Sequence, residues 1–480
     1  MPMASTPVIP LDTTTLRGKR LLFVTGRLAE SRLREVVSEI AAKLGFEFEI
    51  TVPGIQVAAL LHTGLLRSRL QVASDADCII IPGWCQGELG PLEQQFGRPI
   101  YRGPRDLNDL PQYFGVGKRR EADLSTYSTE IIAEINHATR MALNDVVTEA
   151  GQLAAAGANV IDIGGVPGES SPRIAEIVQA VRGEGLRVSI DSFDRPEVEQ
   201  AVSNGAELIL SCNQSNVDWV TKFGVEVVAI PSTPQDMASL DRLIERLQAD
   251  QVPFRADPIL EPIGMGFTES LERYMNLRRR HPDVAIMMGI GNVTELTEVD
   301  SAGVNMLLAA ICEELGVQSV LTTQVINWCR SAVAEFDKAR RLVRHAVAAR
   351  TIPKHIDSSL VMLRDARLHR MPAQSIADMA KALTDRNYRI FAEAGELHLL
   401  NRDGYWHGDD VFRLFESAST FASSQQSPID AGHAFYLGYE MARAEIALHL
   451  GKQYVQDAPM SFGLLGDVKA SSSARDDHRP

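Results

Sequence analysis

The chain has 480 residues, 45% of them hydrophobic and 23% charged, with a formal net charge of −14. That composition supports large buried cores, and its acidity argues against nucleic acid or an anionic membrane as partner, since both require basic surface. No apolar run reaches the ~18–20 residues needed to cross a bilayer, and the lead MPMASTPVIPLDTTTLRGKR has no signal-type apolar core, so a cytoplasmic protein is expected.

Residues 1–17 and 468–480 read as an unstructured lead and tail. Residues 18–120 alternate strand and helix: RLLFVTG (20–26), the helical LREVVSEIAAKLG (33–45), FEFEITV (46–52), DADCIIIPGW (75–84) and RPIYRGP (98–104). Such alternation predicts a small parallel-sheet α/β domain. The strand-Gly-helix junction FVTGRLAES could hold an anion at a helix N-terminus. It lacks G-x-G-x-x-G spacing, so a structural turn glycine is the preferred reading.

Residues 125–350 contain eight short apolar runs separated by helical stretches: 131–136, 159–165, 186–192, 207–213, 225–231, 253–258, 284–292 and 318–324. Eight βα units in this length predict a (β/α)8 TIM barrel. Residues 351–467 mix short strands and turns with a long helix at 431–451, which predicts a C-terminal α+β domain. The five cysteines are scattered, with no C-x-x-C pair, and fit reduced thiols.

Most of the barrel strands end in a hydrogen-bonding side chain: Asn136, Asp162, Asp191, Asn213, Asp257 and Asn292. A parallel barrel builds its active site at that end. Strand alternation puts Glu134 with Asn136, Ser189 with Asp191, Ser211 with Asn213 and Arg255 with Asp257 on shared faces, predicted to point into the upper barrel. A buried carboxylate without a partner is costly. Three acids and three amides without a lysine therefore call for a donor-rich ligand, a cation, or both. Carboxylates only accept hydrogen bonds, whereas Asn donates and accepts. A 2-amino-4-oxo-pyrimidine ring, as in a pterin, offers two parallel donors to one carboxylate. Guanine-like rings and an oxygen-ligated divalent cation fit less specifically.

The stretches IIAEINHAT, GANVIDIGGVPGESSP, RVSIDSFDRPEVEQAVSNGAELI and DPILEPIGMGF resemble the pterin-binding barrels of dihydropteroate synthases and of methyltetrahydrofolate:corrinoid methyltransferases. The whole chain resembles dihydropteroate-synthase-related proteins of organisms that use tetrahydromethanopterin. HAFYLGYEMARAEIALHLGKQYVQD (433–457) resembles the segment that ends those proteins, and also a stretch in a subunit of the methanogen methyl-transfer complex. The resemblance implies a transferase of cofactor biosynthesis or one-carbon metabolism with a reduced pterin as substrate. It implies Asn136 as catalytic and metal-side residue, with Mg2+ as the metal. Asp191 becomes both catalytic and pterin-binding, and Asp257, Asn213 and Asn292 contact the pterin. Asp162 belongs to the same set, holding the loop or an Asn in place. Glu261 competes with Asp257 for the strand-6 role. A homo-oligomer is the expected assembly.

The departures are specific. Synthases carry a lysine at strand 7 and an Arg-x-His at strand 8, where this chain reads GIGNVTE and LTTQVINW. Arg140, Arg173 and Arg330 are the candidate substitutes. The pterin pocket is thus expected to be retained, with the second-substrate site altered. Methyl transfer and non-catalytic pterin binding stand as alternatives. His137 reads either as an acid-base group or as a loop histidine capping a helix, and the basic residues of RRLVRHAVAAR (340–350) as a surface helix. Phe435, Tyr436 and Tyr439 read as core or subunit interface.

Overall fold

The computed structural model describes residues 15–72, 75–117, 122–166, 168–354, 356–365 and 368–468. It divides into two compact units, residues 1–357 and 358–480. Apart from residues 15–17 and 468, the lead and tail expected to be unstructured lie outside the described residues.

The first unit opens with β1 (Arg20–Val24), α1 (Arg27–Leu44), β2 (Glu47–Thr51), α2 (Thr63–Arg69), β3 (Cys78–Ile81), α3 (Gly90–Phe96), β4 (Ile100–Arg102) and α4 (Leu110–Tyr113). The strands form a parallel sheet in the order β2-β1-β3-β4. Alternation along β1 divides its residues between the two faces. Leu21 and Phe23 pack with Val36, Val37 and Ile40 of α1, while Leu22 and Val24 pack with Leu66 and Leu92 on the other side. Helix α1 stops at Gly45, which takes the left-handed conformation at φ 74°. Its N-terminus is no anion site, because the Arg27 and Leu28 amides donate to the carbonyls of Ile55 and Gln56 at 3.0 and 3.1 Å. Gly26 serves close approach instead: a Cβ there would lie 2.5 Å from the Ala58 nitrogen.

The rest of this unit is a barrel. It runs β5 (Glu130–Ile135), α5 (Leu143–Ala155), β6 (Val160–Gly164), α6 (Ile174–Gly183), β7 (Val188–Asp191), α7 (Arg195–Ser203), β8 (Leu208–Cys212), α8 (Val217–Val220) and β9 (Glu226–Ala229). It continues with α9 (Met237–Ala249), β10 (Phe254–Ala256), α10 (Phe267–Arg280), β11 (Ala285–Gly289), α11 (Gly291–Thr294), α12 (Ser301–Leu315), β12 (Ser319–Thr322) and α13 (Ala332–Ala348). All eight strands are parallel, and β12 pairs with β5 to close the cylinder. Each expected strand is present. Outward residues such as Ile131, Ile161, Ile190 and Val227 pack beneath the helices. Inside, Ile132, Val160, Leu210, Val228 and Met287 form a small apolar layer.

The base of the barrel is ionic. Arg255 donates from Nε and Nη2 to the two oxygens of Glu226, both at 2.9 Å, and from Nη1 to Glu130 at 2.9 Å. Arg187 adds bonds to Glu130 at 2.7 Å and to Glu207. The expectation that Arg255 points into the upper barrel is therefore corrected. Its face is the inner one, but a residue two positions before Asp257 sits one layer lower, where the long guanidinium arm reaches the strand starts. The 340–350 segment also departs from a plain surface helix. Arg340 is buried, bonded to the carbonyls of Thr129 and Gly157, and stacked 3.7 Å over Tyr127.

The second unit holds α14 (Ala373–Ala382), a three-stranded antiparallel sheet of β13 (Arg389–Glu393), β14 (Glu396–Asn401) and β15 (Gly404–Gly408), then α15 (Val411–Ser424), α16 (Ala431–Leu450), and the short β16 (Met460–Ser461) and β17 (Asp467–Val468). Phe435 on α16 is exposed, so it does not belong to the core. All five cysteines are buried and unbridged. Among the described residues no helix is long and apolar enough to cross a membrane.

Candidate active site

Three acids meet inside the upper barrel. Register aligns Glu134 of β5 with Asp162 of β6, and Asp162 with Ser189 of β7. Asp162 is wholly buried and its Oδ1 accepts from the Ser189 hydroxyl at 2.7 Å, while Oδ2 has no hydrogen-bond partner among the described residues. Asp191, at the open end of β7, is reached by solvent and accepts from the Ser211 hydroxyl. Glu134 Oε1 lies 2.6 Å from where a Cβ would stand on Gly164, so the glycine makes room for this carboxyl.

Crowded carboxyls in a poorly solvated site resist ionisation. Burial, then the charges of Asp191 and Glu295, push Glu134 up to about 7. Burial, then Asp191 and Glu134, hold Asp162 well above the usual carboxylate range. Asp191 keeps solvent on one side, but the surrounding protein displaces enough of its hydration to raise it as well, against the Ser211 hydrogen bond. No described residue forms an ion pair with any of the three. The group can therefore hold or accept a proton near neutrality, and it can receive donors from a ligand.

Asp257, just past β10, is also buried. Its Oδ1 accepts from the Tyr274 hydroxyl at 2.5 Å and the Ile259 amide at 2.8 Å. Burial pushes it up to about 6, with Tyr274 opposing. The competing Glu261 is engaged with Arg273 at 2.7 Å, and Arg273 also donates to the carbonyls of Pro258 and Ile259. Ile259 is held at φ 66°, and His137, directly after Asn136, at φ 53°. Left-handed backbone is costly for a β-branched residue and tends to collect at functional sites.

The amides sit at the same end of the barrel but are differently engaged. Asn136 is half-buried beyond β5, next to Gly164. Asn213 Oδ1 is taken up in a turn by the amide and hydroxyl of Ser215. Asn292 is exposed, and its amide donates to the Leu260 carbonyl at 2.8 Å. His137 is exposed and its side chain caps no helix. The loops around the centre expose Phe193, Ile263, Met265, Leu296 and Val325, apolar surface suited to the faces of a flat ring. Two of the candidate arginines are engaged: Arg140 with Glu169 at 2.5 Å, and Arg173 with the carbonyls of Thr139 and Met141 at 2.8 Å. Arg330 is exposed in the loop after β12.

Residues 135–280, from the end of β5 to the end of α10, match the family described as pterin binding enzyme. The barrel is thus similar to pterin-binding enzymes. Residues 19–105 match a family of unknown function, DUF6513, and residues 405–457 match one described as PterinBD-DUF4346. An uncharacterized protein of Methanocaldococcus jannaschii, MJ0107, is 24% identical over 91% of this chain and 98% of its own length. Solved structures that resemble the chain include dihydropteroate synthases. That of Yersinia pestis with a pterine-sulfa conjugate is 22% identical, with a TM-score of 0.38. That of Xanthomonas albilineans with 7,8-dihydropteroate is 21% identical, with a TM-score of 0.37. Each covers 47% of this chain and 95% of the solved chain.

Strand alternation marks Glu134, Ser189 and Ser211 as inward-facing neighbours of the candidate residues without assigning them a role, whereas Tyr274 is a partner the sequence does not single out. Parity with Asn136 and Asp191 holds for Glu134 and Ser189, but it does not fix Ser211, because the β8–β9 register shifts between Ile209 and Cys212. Tyr274 lies on a helix 17 positions from Asp257, and no local pattern announces that contact.

Proposed function

We propose that the barrel mouth binds a reduced pterin and supports a dihydropteroate-synthase-type transfer in tetrahydromethanopterin or folate-type cofactor synthesis. The observation that carries the reading is the set of strand-end acids, each Asp bonded to a hydroxyl, Asp257 also to a backbone amide, and none in an ion pair among the described residues. They surround a mouth whose loops expose apolar side chains. A pterin supplies what this set lacks, namely ring N–H and amino donors on a flat body.

In this reaction the pterin methylene–oxygen bond breaks, diphosphate leaves, and the arylamine nitrogen bonds to the methylene carbon. Asp191 would offset positive charge developing on the pterin, with the protonated Asp162 beneath it able to donate a hydrogen bond. Glu134, poised near neutrality, would accept the proton released by the arylamine. Asn213 and Asn292 would read the ring edge, and Asp257 would grip the pyrimidine with its second oxygen. Mg2+, which favours few protein ligands together with phosphate oxygens, would meet the diphosphate beside Asn136. It would supply charge neutralisation there.

A second reading has its own support. Arg140, Arg173 and Arg273 are engaged within the protein, and the strand-7 lysine and strand-8 Arg-His are absent, leaving Arg330 as the remaining candidate for a diphosphate. A mouth this acidic suits a pterin without a diphosphate, as in methyl transfer or in binding without turnover. Calorimetry with 7,8-dihydropterin and tetrahydropterin tests the common premise. Asp191→Asn and Asp257→Asn should each weaken binding by ~1.5–3 kcal/mol, the scale of a hydrogen bond to a charged group. Unchanged affinity in both removes the pterin assignment. Diphosphate release from dihydropterin methyl diphosphate with 4-aminobenzoate then separates the synthase from the second reading.

A further inference from the structure

A cavity of about 680 Å³ opens at the carboxyl ends of β1, β3 and β4 in the N-terminal sheet. Its walls include Thr25 after β1, Pro82 after β3 and Arg105 after β4, closed by His345 near the end of α13 and by Lys354 and Asp357 beyond it. In the order β2-β1-β3-β4 the chain reverses direction between β1 and β3. Open parallel sheets bind ligands outside the strand ends at such a switch point, and the volume lies in the range of small-molecule sites. Helix α13 has 17 residues and is thus about 25 Å long. It starts on the mouth side of the barrel and ends at this cavity, so the two sites lie at opposite ends of it.

The lining is specific in its chemistry. Arg32 is buried at 8% exposure. One of its nitrogens holds Glu35 at 2.8 Å and another reaches Asn108 at 3.4 Å. A guanidinium has five N–H donors, so donors remain for a guest. Arg105 lies 4.7 Å over the Trp84 ring, and Lys354 is exposed on the same wall. Against these cations stand Asp106, whose carboxylate is engaged in a turn with Asn108, and Asp357. The remaining wall is largely apolar. The amides at the start of α1 are taken by Ile55 and Gln56, so side chains rather than a backbone phosphate cradle would read a charged group here.

We propose that this cavity is a second ligand site, separate from the barrel mouth, that takes a flat ring system bearing an anionic group, with the ring along Trp84 and the anion toward Arg32, Arg105 and Lys354. The probe is 8-anilinonaphthalene-1-sulfonate titrated into the full-length protein and read by fluorescence and calorimetry. One site per chain is expected. Charge reversal at the exposed Arg105→Glu/Lys354→Glu pair, and filling by the exposed Ala59→Trp, should each weaken the dye at least fivefold while circular dichroism and the thermal midpoint stay unchanged. Naphthalene-2-carboxylate and adenosine monophosphate, run as separate competitors, distinguish a carboxylate from a phosphate guest, and displacement by either supports the site. Neutral 2-naphthol should displace poorly. No bound dye in the wild type, or undiminished binding in both folded variants, overturns the proposal and leaves the pterin reading untouched.

Discussion

The two ends of the barrel solve the same electrostatic problem in opposite ways. At the base, Glu130 and Glu226 face Arg255, and Glu130 also faces Arg187. At the mouth, Glu134, Asp162 and Asp191 stand on the same strands or their neighbours, and hydroxyls replace the arginines. Burial presses on both groups. Only the base relieves it within the chain, and its acid responds accordingly: hydrogen bonds and charge from Arg187 and Arg255 overcome burial and hold Glu130 below its ordinary range. The mouth leaves the strain in place, which is the arrangement expected where a ligand completes the site.

If this contrast is right, removing a base arginine should be the most damaging change. Arg255→Met leaves two part-buried glutamates without their shared partner. Breaking a buried pair costs ~3–5 kcal/mol, and the part exposure of both glutamates places the expected loss near the lower end, about 3 kcal/mol. Urea denaturation checks it, and the triple change Arg255→Met/Glu130→Leu/Glu226→Leu should recover much of the loss. A single variant as stable as the wild type would show that the base pairs are incidental.

The pH response of the two ends should differ in sign. Glu134 has an ordinary value of 4.5 and a folded value of about 7. Its raised folded value means that stability is fully present below 4.5 and declines as pH rises through 7. Glu130 is lowered, so its contribution is present above its ordinary range and is lost as pH falls. Glu134→Gln should therefore raise stability at pH 8 by about 2 kcal/mol and change little at pH 4. Glu130→Gln should reduce stability at pH 8 and matter progressively less in acid. Parallel pH profiles for the two variants would erase the distinction.

Much of the fold could be read from the chain because its signals are local. The eight apolar runs, the glycine stops and the polar strand ends are each written within about seven residues, and each predicted barrel strand is present. The vertical placement of side chains was less legible. Parity gives the inner face but not the layer, so Arg255 was placed with Asp257 when its length carries it to the base. Partners contributed from a distance, such as Tyr274 to Asp257 or Arg340 to Thr129 and Gly157, depend on helix docking that periodicity does not encode. The engagement of Asn213 by Ser215 was closer to hand, since Asn followed two residues later by Ser is an ordinary turn pattern.

Tyr274 gives a smaller test within the mouth. Tyr274→Phe removes the hydroxyl that donates to Asp257 at 2.5 Å and should raise that carboxyl above its present value of about 6. The expected cost is ~1–2 kcal/mol at pH 8, where the acid is ionised, and less at pH 5. Equal losses at both values would mean that packing of the ring, and not the hydrogen bond, is what the variant removes.

The smallest expected change is the most discriminating. Asp162 is fully buried, with one oxygen bonded to Ser189 and the other without a hydrogen-bond partner among the described residues. If it carried a structural charge, Asp162→Asn would behave like the loss of a base residue and cost several kcal/mol. Its raised folded value says the reverse: the acid is held neutral in the folded chain and its ionisation opposes folding as pH rises. The amide keeps the shape, retains an oxygen for Ser189, and cannot ionise. Stability should then be unchanged at pH 4 and equal or higher by up to about 1 kcal/mol at pH 8, on the scale of a single hydrogen bond. Because a neutral Asp162 puts no charge on Glu134, the same variant should leave the Glu134 titration where burial, Asp191 and Glu295 hold it, which the carbon-13 shift of the labelled glutamate carboxyl reports. A destabilised Asp162→Asn with the Glu134 titration moved downward would mean that Asp162 is charged in the folded chain, and that the mouth, like the base, balances its charges internally and is not waiting for a ligand.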